Sequence, residues 1–160
     1  KWRDKMDIKK CTKESFSVIG KEGSTEMGKG FIQRLWEDAN AHVNEVRALA
    51  KKDEKGELIG VWGAMSDFTH SFKPWQEDFT QGLYLASVEV ASDAQAPEGW
   101  VKWTIPAYEY LYVKCEEPDT FAQMMSYMQE NNIELVGAIH EYICVEENGQ
   151  QYLFFPIRKI

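Results

Sequence analysis

The sequence predicts an α+β fold: two β-α-β-β halves, about residues 8–92 and 98–160, that form one antiparallel-rich, curved sheet with both helices on one face and a cleft on the other. Three observations lead there. Short segments alternating at period two outnumber the two segments of helical period. The order strand, helix, strand, strand occurs twice, though the halves share little residue identity. Asn148-Gly149 between two apolar runs is a hairpin turn signal, which makes the closing strands antiparallel.

Taken in order, "ESFSVIGK" (14–21) alternates, with Phe16 and Val18 on one side, and reads as a strand. From Gly30 to Lys51, Phe31, Leu35, Trp36, Ala39, Val43 and Val46 fall on one stripe, with Arg34, Glu37, Asp38 and Arg47 mostly opposite. This predicts one long helix that stops before the charged turn at Gly56, with His42 as a hydrogen-bonded core residue. "LIGVWGAM" (58–65) is a strand whose Gly60 and Gly63 permit close backbone approach. "DFTHSFKPWQEDF" (67–79) lines up Phe68, Phe72, Trp75 and Phe79 at helical spacing, but Pro74 forbids an unbroken helix. Four large rings therefore fall in a connection, where they act either as a lid over a ligand or as a satellite core. "LYLASVEV" (83–90) is a strand, followed by a loop.

In the second half, Trp100 to Cys115 reads as a long strand that Pro106 kinks. Residues 118–132 form a helix with Phe121, Met124, Met125 and Met128 on one face, helix core by default. Gly137–Val145 and Gln151–Ile160 close the chain as a hairpin. After Pro106, alternation puts Glu109, Leu111, Val113 and Cys115 on one side and Tyr108, Tyr110 and Tyr112 on the other. Leu111 and Val113 suit a helix-covered core. Three tyrosines in a row suit something partly apolar and partly hydrogen-bonding, and Trp62, Trp100 and Trp103 are expected on neighbouring strands.

Composition narrows the functional classes. Twenty-six acidic against eighteen basic side chains give a net charge of −8, and only the amino-terminal segment is basic. Such a field repels phosphate backbones, so direct nucleic-acid binding is not expected, and it attracts lipophilic cations. No apolar run is long enough for a membrane span, and "KWRDKMDIKK" has no apolar core after its charges, so neither anchor nor signal peptide is expected. Cys11, Cys115 and Cys144 are odd in number and widely spaced, as expected of reduced thiols in a cytoplasmic protein. His140-Glu141 lies on a strand with no second histidine, unlike a helical zinc motif, and there is no phosphate loop or serine elbow. No metal or cofactor is expected.

The strand "IPAYEYLYV", the "HEY" of His140 to Tyr142 and the closing "FFPIRK" from Phe154 to Lys159 resemble the gyrase-inhibitor-like effector-binding domains, drug-sensing modules that occur in transcriptional activators and as free-standing proteins. Element order agrees over nearly the whole chain, and "GVWGAMSDF" and "APEGWVKWTIP" look like small single-domain bacterial members. The resemblance implies an aromatic pocket with a carboxylate near its floor that recognises flat, lipophilic, often cationic compounds. Carried over by position, the carboxylate is Glu141. Strand parity places Glu141 with Ile143 and Val145 on the helix side, so a place in a helix-free cleft would require a bulge.

Two readings follow. As a binding module, the chain would neutralise planar lipophilic molecules or toxins in a pocket walled by Trp36, Trp62, Phe68, Phe72, Trp75, Phe79, Glu89, Trp103, Tyr108 and Tyr142. As a hydrolase of cyclopropane-bearing DNA-alkylating toxins, an activity the resemblance implies, it would use Glu141 as the base toward water and Tyr110 or Tyr112 as donor to the developing oxyanion. The alternatives are an effector sensor acting with a separate regulator and a gyrase-protecting interaction module.

Overall fold

The computed structural model describes residues 6–160. Eight strands form one antiparallel sheet: β1 (Lys9–Lys13), β2 (Phe16–Ser24), β3 (Val61–Ser66), β4 (Leu83–Val90), β5 (Val101–Ile105), β6 (Tyr108–Lys114), β7 (His140–Cys144) and β8 (Gln150–Lys159). Their spatial order is β1-β6-β8-β7-β3-β4-β2-β5. The two β-α-β-β units are β2-α1-β3-β4, with α1 at Phe31–Ala41, and β6-α3-β7-β8, with α3 at Thr120–Glu130. A single turn, α2 (Gln76–Phe79), lies between β3 and β4.

The connections force this sheet to curl. Two residues link β1 to β2 and two link β5 to β6, yet each pair stands six strand positions apart in the sheet. In a flat sheet six spacings of about 4.8 Å come to about 29 Å. A two-residue link bridges about 10 Å. The edges must therefore approach each other, and the sheet becomes a half-barrel with a concave face.

Several expectations change. The sequence reading passed over β1, because "KKCTK" has no buried residue; its lysines suit an edge strand, which they protect against pairing with other chains. Pro106 does not merely kink a long strand: it ends β5, which pairs with β2, and β6 begins two residues later beside β1 and β8. The long helix stops at Ala41 and continues as a 3-10 turn over Val43–Glu45, in a stretch where Asn40, His42, Val43 and Asn44 all have modest helix propensity. Val46 and Ala50 still reach the core through turns. His42 is not a core residue; it caps the end of α1, exposed, with Nδ1 3.0 Å from Asp38 Oδ1.

Both long helices lie on the convex face. Phe31, Leu35 and Ala39 of α1 pack over Ile19, Tyr84, Ala86 and Val88 of β2 and β4. Met124 and Met128 of α3 pack over Leu111, Val113 and Phe155 of β6 and β8. Each helix covers the outer strands of its own unit. The central strands β7 and β3, where the units meet, have no helix over them, and that bare strip positions the site.

Candidate functional site

Glu141 stands in the middle of the strip. β7 pairs continuously with β3 and β8 and has no bulge, so alternation holds and Glu141 lies on the helix side with Ile143. Strand parity, with no bulge to break it, decides the side on which Glu141 lies. A cleft does open on the concave face, lined in part by Tyr112, Tyr142, Tyr152 and Phe154, but Glu141 opens onto a different cavity on the helix side, walled by Pro74, Trp75, Phe79 and Phe121.

Gly63 makes the carboxylate's surroundings possible. It is the Cα partner of both Glu141 and Ala86, so it sits between them on the strip. A Cβ there would overlap the Tyr84 hydroxyl and Glu141 Oε1. Over this bare backbone Tyr84 donates to Glu141 Oε1 at 2.6 Å, and Trp36 Nε1 of α1 donates to the Tyr84 hydroxyl at 2.8 Å. Trp36 and Tyr84 also meet edge to face, with ring centroids 6.5 Å apart.

The Glu141 end of this polar chain borders a cavity of about 280 Å³ lined by Met65, Pro74, Trp75, Phe79, Phe121, Ile139, Glu141 and Leu153. Glu141 is the one ionisable wall residue among those described. Burial raises the Glu141 pKa above the ordinary carboxylate value, an effect the Tyr84 hydrogen bond opposes. Burial, together with the neighbouring carboxylate, pushes the Tyr84 hydroxyl far up, so it remains a donor. Burial and Glu141 also raise the Cys115 thiol to about 11, so it remains protonated. No ion pair joins Glu141 to a lysine or arginine among the described residues.

The four rings of residues 67–79 serve both faces. Phe68 and Phe72 pack into the concave cluster, while Trp75 and Phe79 wall the cavity on the opposite side. The segment passes around the end of β3 and β7, held where Ala138 N–H donates to Phe72 O at 2.8 Å. Asp67, 2% exposed, organises the turn: its carboxylate accepts from Ser66, Thr69, Ser71 and Lys73 at 2.6–3.3 Å. Burial alone would raise its pKa, but these bonds win and hold it at about 2. His70, Phe72, Glu77, Asp78 and Phe79 all have φ of 51–63°, a left-handed conformation costly for residues with a Cβ.

The remaining candidates sit on the concave face. Trp62 is 4% exposed and touches Phe16, Tyr142 and Phe154, with centroids 5.2, 4.8 and 5.1 Å away. Trp103 meets Phe72 edge to face and donates to Glu22 at 2.7 Å. Tyr108, Tyr110 and Tyr112 form a chain of ring contacts ending on Phe154. Trp103 and Trp62 are not on strands adjacent to β6, and Trp100 is on the helix side; it is curvature that joins Trp62 to Phe154. Glu89 is buried there too, accepting from Trp62 at 3.2 Å and paired with Lys51 at 3.1 Å and Lys13 at 3.5 Å.

The predicted set thus divides. Glu141, Trp75 and Phe79 share the helix-side cavity, with Trp36 behind Tyr84. Trp62, Phe68, Phe72, Glu89, Trp103, Tyr108, Tyr110, Tyr112 and Tyr142 lie across the sheet, and neither Tyr110 nor Tyr112 stands beside Glu141. The hydroxyl that does is Tyr84, which the sequence reading missed. Its signal was present: Tyr84 shares strand parity with Ala86 and Val88, and Gly63 marked a close approach.

Residues 6–158 match the family model described as the GyrI-like small molecule binding domain. No curated protein matches the chain by sequence. Among solved structures, the C-terminal domain of EcmrR is similar at TM-score 0.67 and 12% identity, covering 97% of this chain and 99% of that one. SAV2435 bound to tetraphenylphosphonium is similar at TM-score 0.64 and 13% identity, covering 96% and 94%. An integron cassette protein from Vibrio cholerae is similar at TM-score 0.60 and 16% identity, covering 96% and 97%. No helix among the described residues is long and apolar enough to cross a membrane.

Proposed function

Given that this chain belongs to the GyrI-like small molecule binding family, we propose that the helix-side cavity at Glu141 captures lipophilic organic cations and neutralises them by sequestration. The observation that carries this reading is Glu141: a half-buried carboxylate that faces apolar walls and, among the described residues, is bonded to a single hydroxyl and has no cationic side chain beside it. A buried carboxylate without a counter-charge is unfavourable, and an entering cation supplies that charge while its hydrocarbon leaves water against Met65, Leu153 and the rings. Trp75, Phe79 and Phe121 offer ring faces, each adding about 0.5–2 kcal/mol of cation–π attraction. The tetraphenylphosphonium held by SAV2435 is a molecule of this class, and it supports the choice.

Titration with tetraphenylphosphonium, followed by tryptophan fluorescence or calorimetry, tests the reading. Micromolar binding is expected, and Glu141→Gln weakens it about ten- to a hundredfold, because a charge-assisted contact of about 1.5–3 kcal/mol is lost. No binding, or binding that Glu141→Gln leaves unchanged, rejects it.

A second reading has its own observation, the 2.6 Å contact of Tyr84 with a carboxylate of raised pKa. If the cavity opens cyclopropane-bearing toxins, Glu141 takes the proton from water and Tyr84, rather than Tyr110 or Tyr112, is the hydroxyl that orients this base, its one proton being donated to Glu141. Ring-opened product beyond one equivalent, detected by mass spectrometry and lost in Tyr84→Phe, would establish turnover. Protection at one equivalent without product leaves sequestration alone.

A further inference from the structure

Outside the ring pair of Phe79 and Phe121 lies a second hollow of about 580 Å³ that runs along α3. Its walls are Ala122, Met125, Met128, Ile133 and Leu135, and its polar lining residues among those described are Asp78 and Gln129, both exposed. Phe79 and Phe121 line both hollows and meet edge to face with centroids 5.3 Å apart, so they form a shared partition. We infer that cavity and groove are two subsites for one elongated amphiphile, whose cationic head sits at Glu141 and whose hydrocarbon tail passes the Phe79–Phe121 partition to lie along α3. This rests on the reading of the Glu141 cavity as a cation site and adds the shape of the ligand.

Three features fix the tail's chemistry and its route. The groove has no buried charge or hydrogen-bonding group to orient a polar extension, so hydrocarbon is what it can desolvate. Met125 and Met128 are unbranched and adapt to chains of different shape. The partition can move on both sides: Phe121 is 37% exposed at the start of α3, and Phe79 ends the single turn α2 in a run of left-handed residues, Glu77 to Phe79. Turning either ring would join the two hollows without disturbing the sheet.

Alkyltrimethylammonium ions with tails of four, eight and twelve carbons, and the uncharged alkanols of the same lengths, test the inference by calorimetry. Affinity is expected to rise up to about fourfold per methylene buried through the twelve-carbon tail. Ala122→Asp places a charge on the groove wall at an exposed first-turn position where an acidic residue suits the helix, so the fold is expected to hold. It should remove the gain between eight and twelve carbons at least tenfold and leave the four-carbon ion unchanged. Met125→Ser should act in the same direction. Affinity that stops rising at eight carbons, or a long-tail gain that neither variant alters, overturns the inference. If the ions bind no better than the alkanols, the cation reading fails by itself, because tail-length dependence of the alkanols and its loss in Ala122→Asp still report on the groove.

Discussion

The two faces of this sheet are both rich in aromatic rings and each carries a glutamate largely withdrawn from water, Glu89 on β4 and Glu141 on β7, yet they differ in what those groups touch. On the concave face Trp62 is surrounded by Phe16, Tyr142 and Phe154, and Glu89 is matched by Lys13, Lys51 and the Trp62 indole. On the convex face Trp75, Phe79 and Phe121 border open volume, and Glu141 has one tyrosine hydroxyl in place of two lysines. Rings that find other rings seal a face and stabilise it. Rings that border a hollow beside an uncompensated charge leave both to be satisfied by something from outside.

The largest effect should come from breaking the sealed face. Trp62→Ala is expected to lower stability by about 3–5 kcal/mol in denaturant titration, as large core truncations do, while the folded fraction keeps its affinity for a lipophilic cation. Affinity falling in step with stability would show that the faces are not independent. Next comes the segment that joins them. Asp67→Ala leaves donors of Ser66, Thr69, Ser71 and Lys73 without their acceptor and should cost about 2–3 kcal/mol, and it should weaken ligand binding too, because Trp75 and Phe79 follow that turn. In the native protein the Asp67 contribution is complete above the ordinary aspartate pKa and is lost as pH falls from there toward about 2.

Glu141 should show the opposite pH dependence. Its folded-state pKa is raised, so the folded protein binds the extra proton between the ordinary glutamate value and the raised one, and stability falls as pH rises through that window. Glu141→Gln should flatten this slope, and a bound cation should reverse it; urea midpoints measured across mildly acidic pH with and without ligand would show both. The smallest change is expected at Tyr110, whose buried hydroxyl has no hydrogen-bond partner among the described residues. Tyr110→Phe should leave stability within about 1 kcal/mol of the parent or slightly above it, since it removes an unsatisfied polar group. A large loss would mean the hydroxyl is bonded in solution and the sealed face has a polar role.

Most of the elements were legible because their signals are local. "LYLASVEV" is β4 residue for residue, the Met124 and Met128 spacing is the buried face of α3, and Asn148-Gly149 adopts the left-handed turn between β7 and β8. β1 was not legible, because its lysines and its exposure erase the alternation that burial would impose. Within the site, the period-two rule placed Glu141 correctly. Glu141 lies on the helix side and not in the concave cleft, because β7 runs without a bulge and two helices over eight strands leave a bare strip on their own side of the sheet. Tyr84 escaped notice because a tyrosine in a buried strand is ordinary; only the register that puts Gly63 between it and Glu141 gives it a partner.

By itself, then, the amino-acid order determined the strands, the helical stripes, the acidic field and the parity of every strand side chain, since these depend on neighbours a few residues away. Which parity became the lining of a cavity was settled only when two short links curled the sheet and each helix settled over its own unit. That choice depends on contacts between residues as distant in sequence as Tyr84 and Glu141, whose meeting minimises exposed hydrocarbon over the whole domain and follows no local pattern.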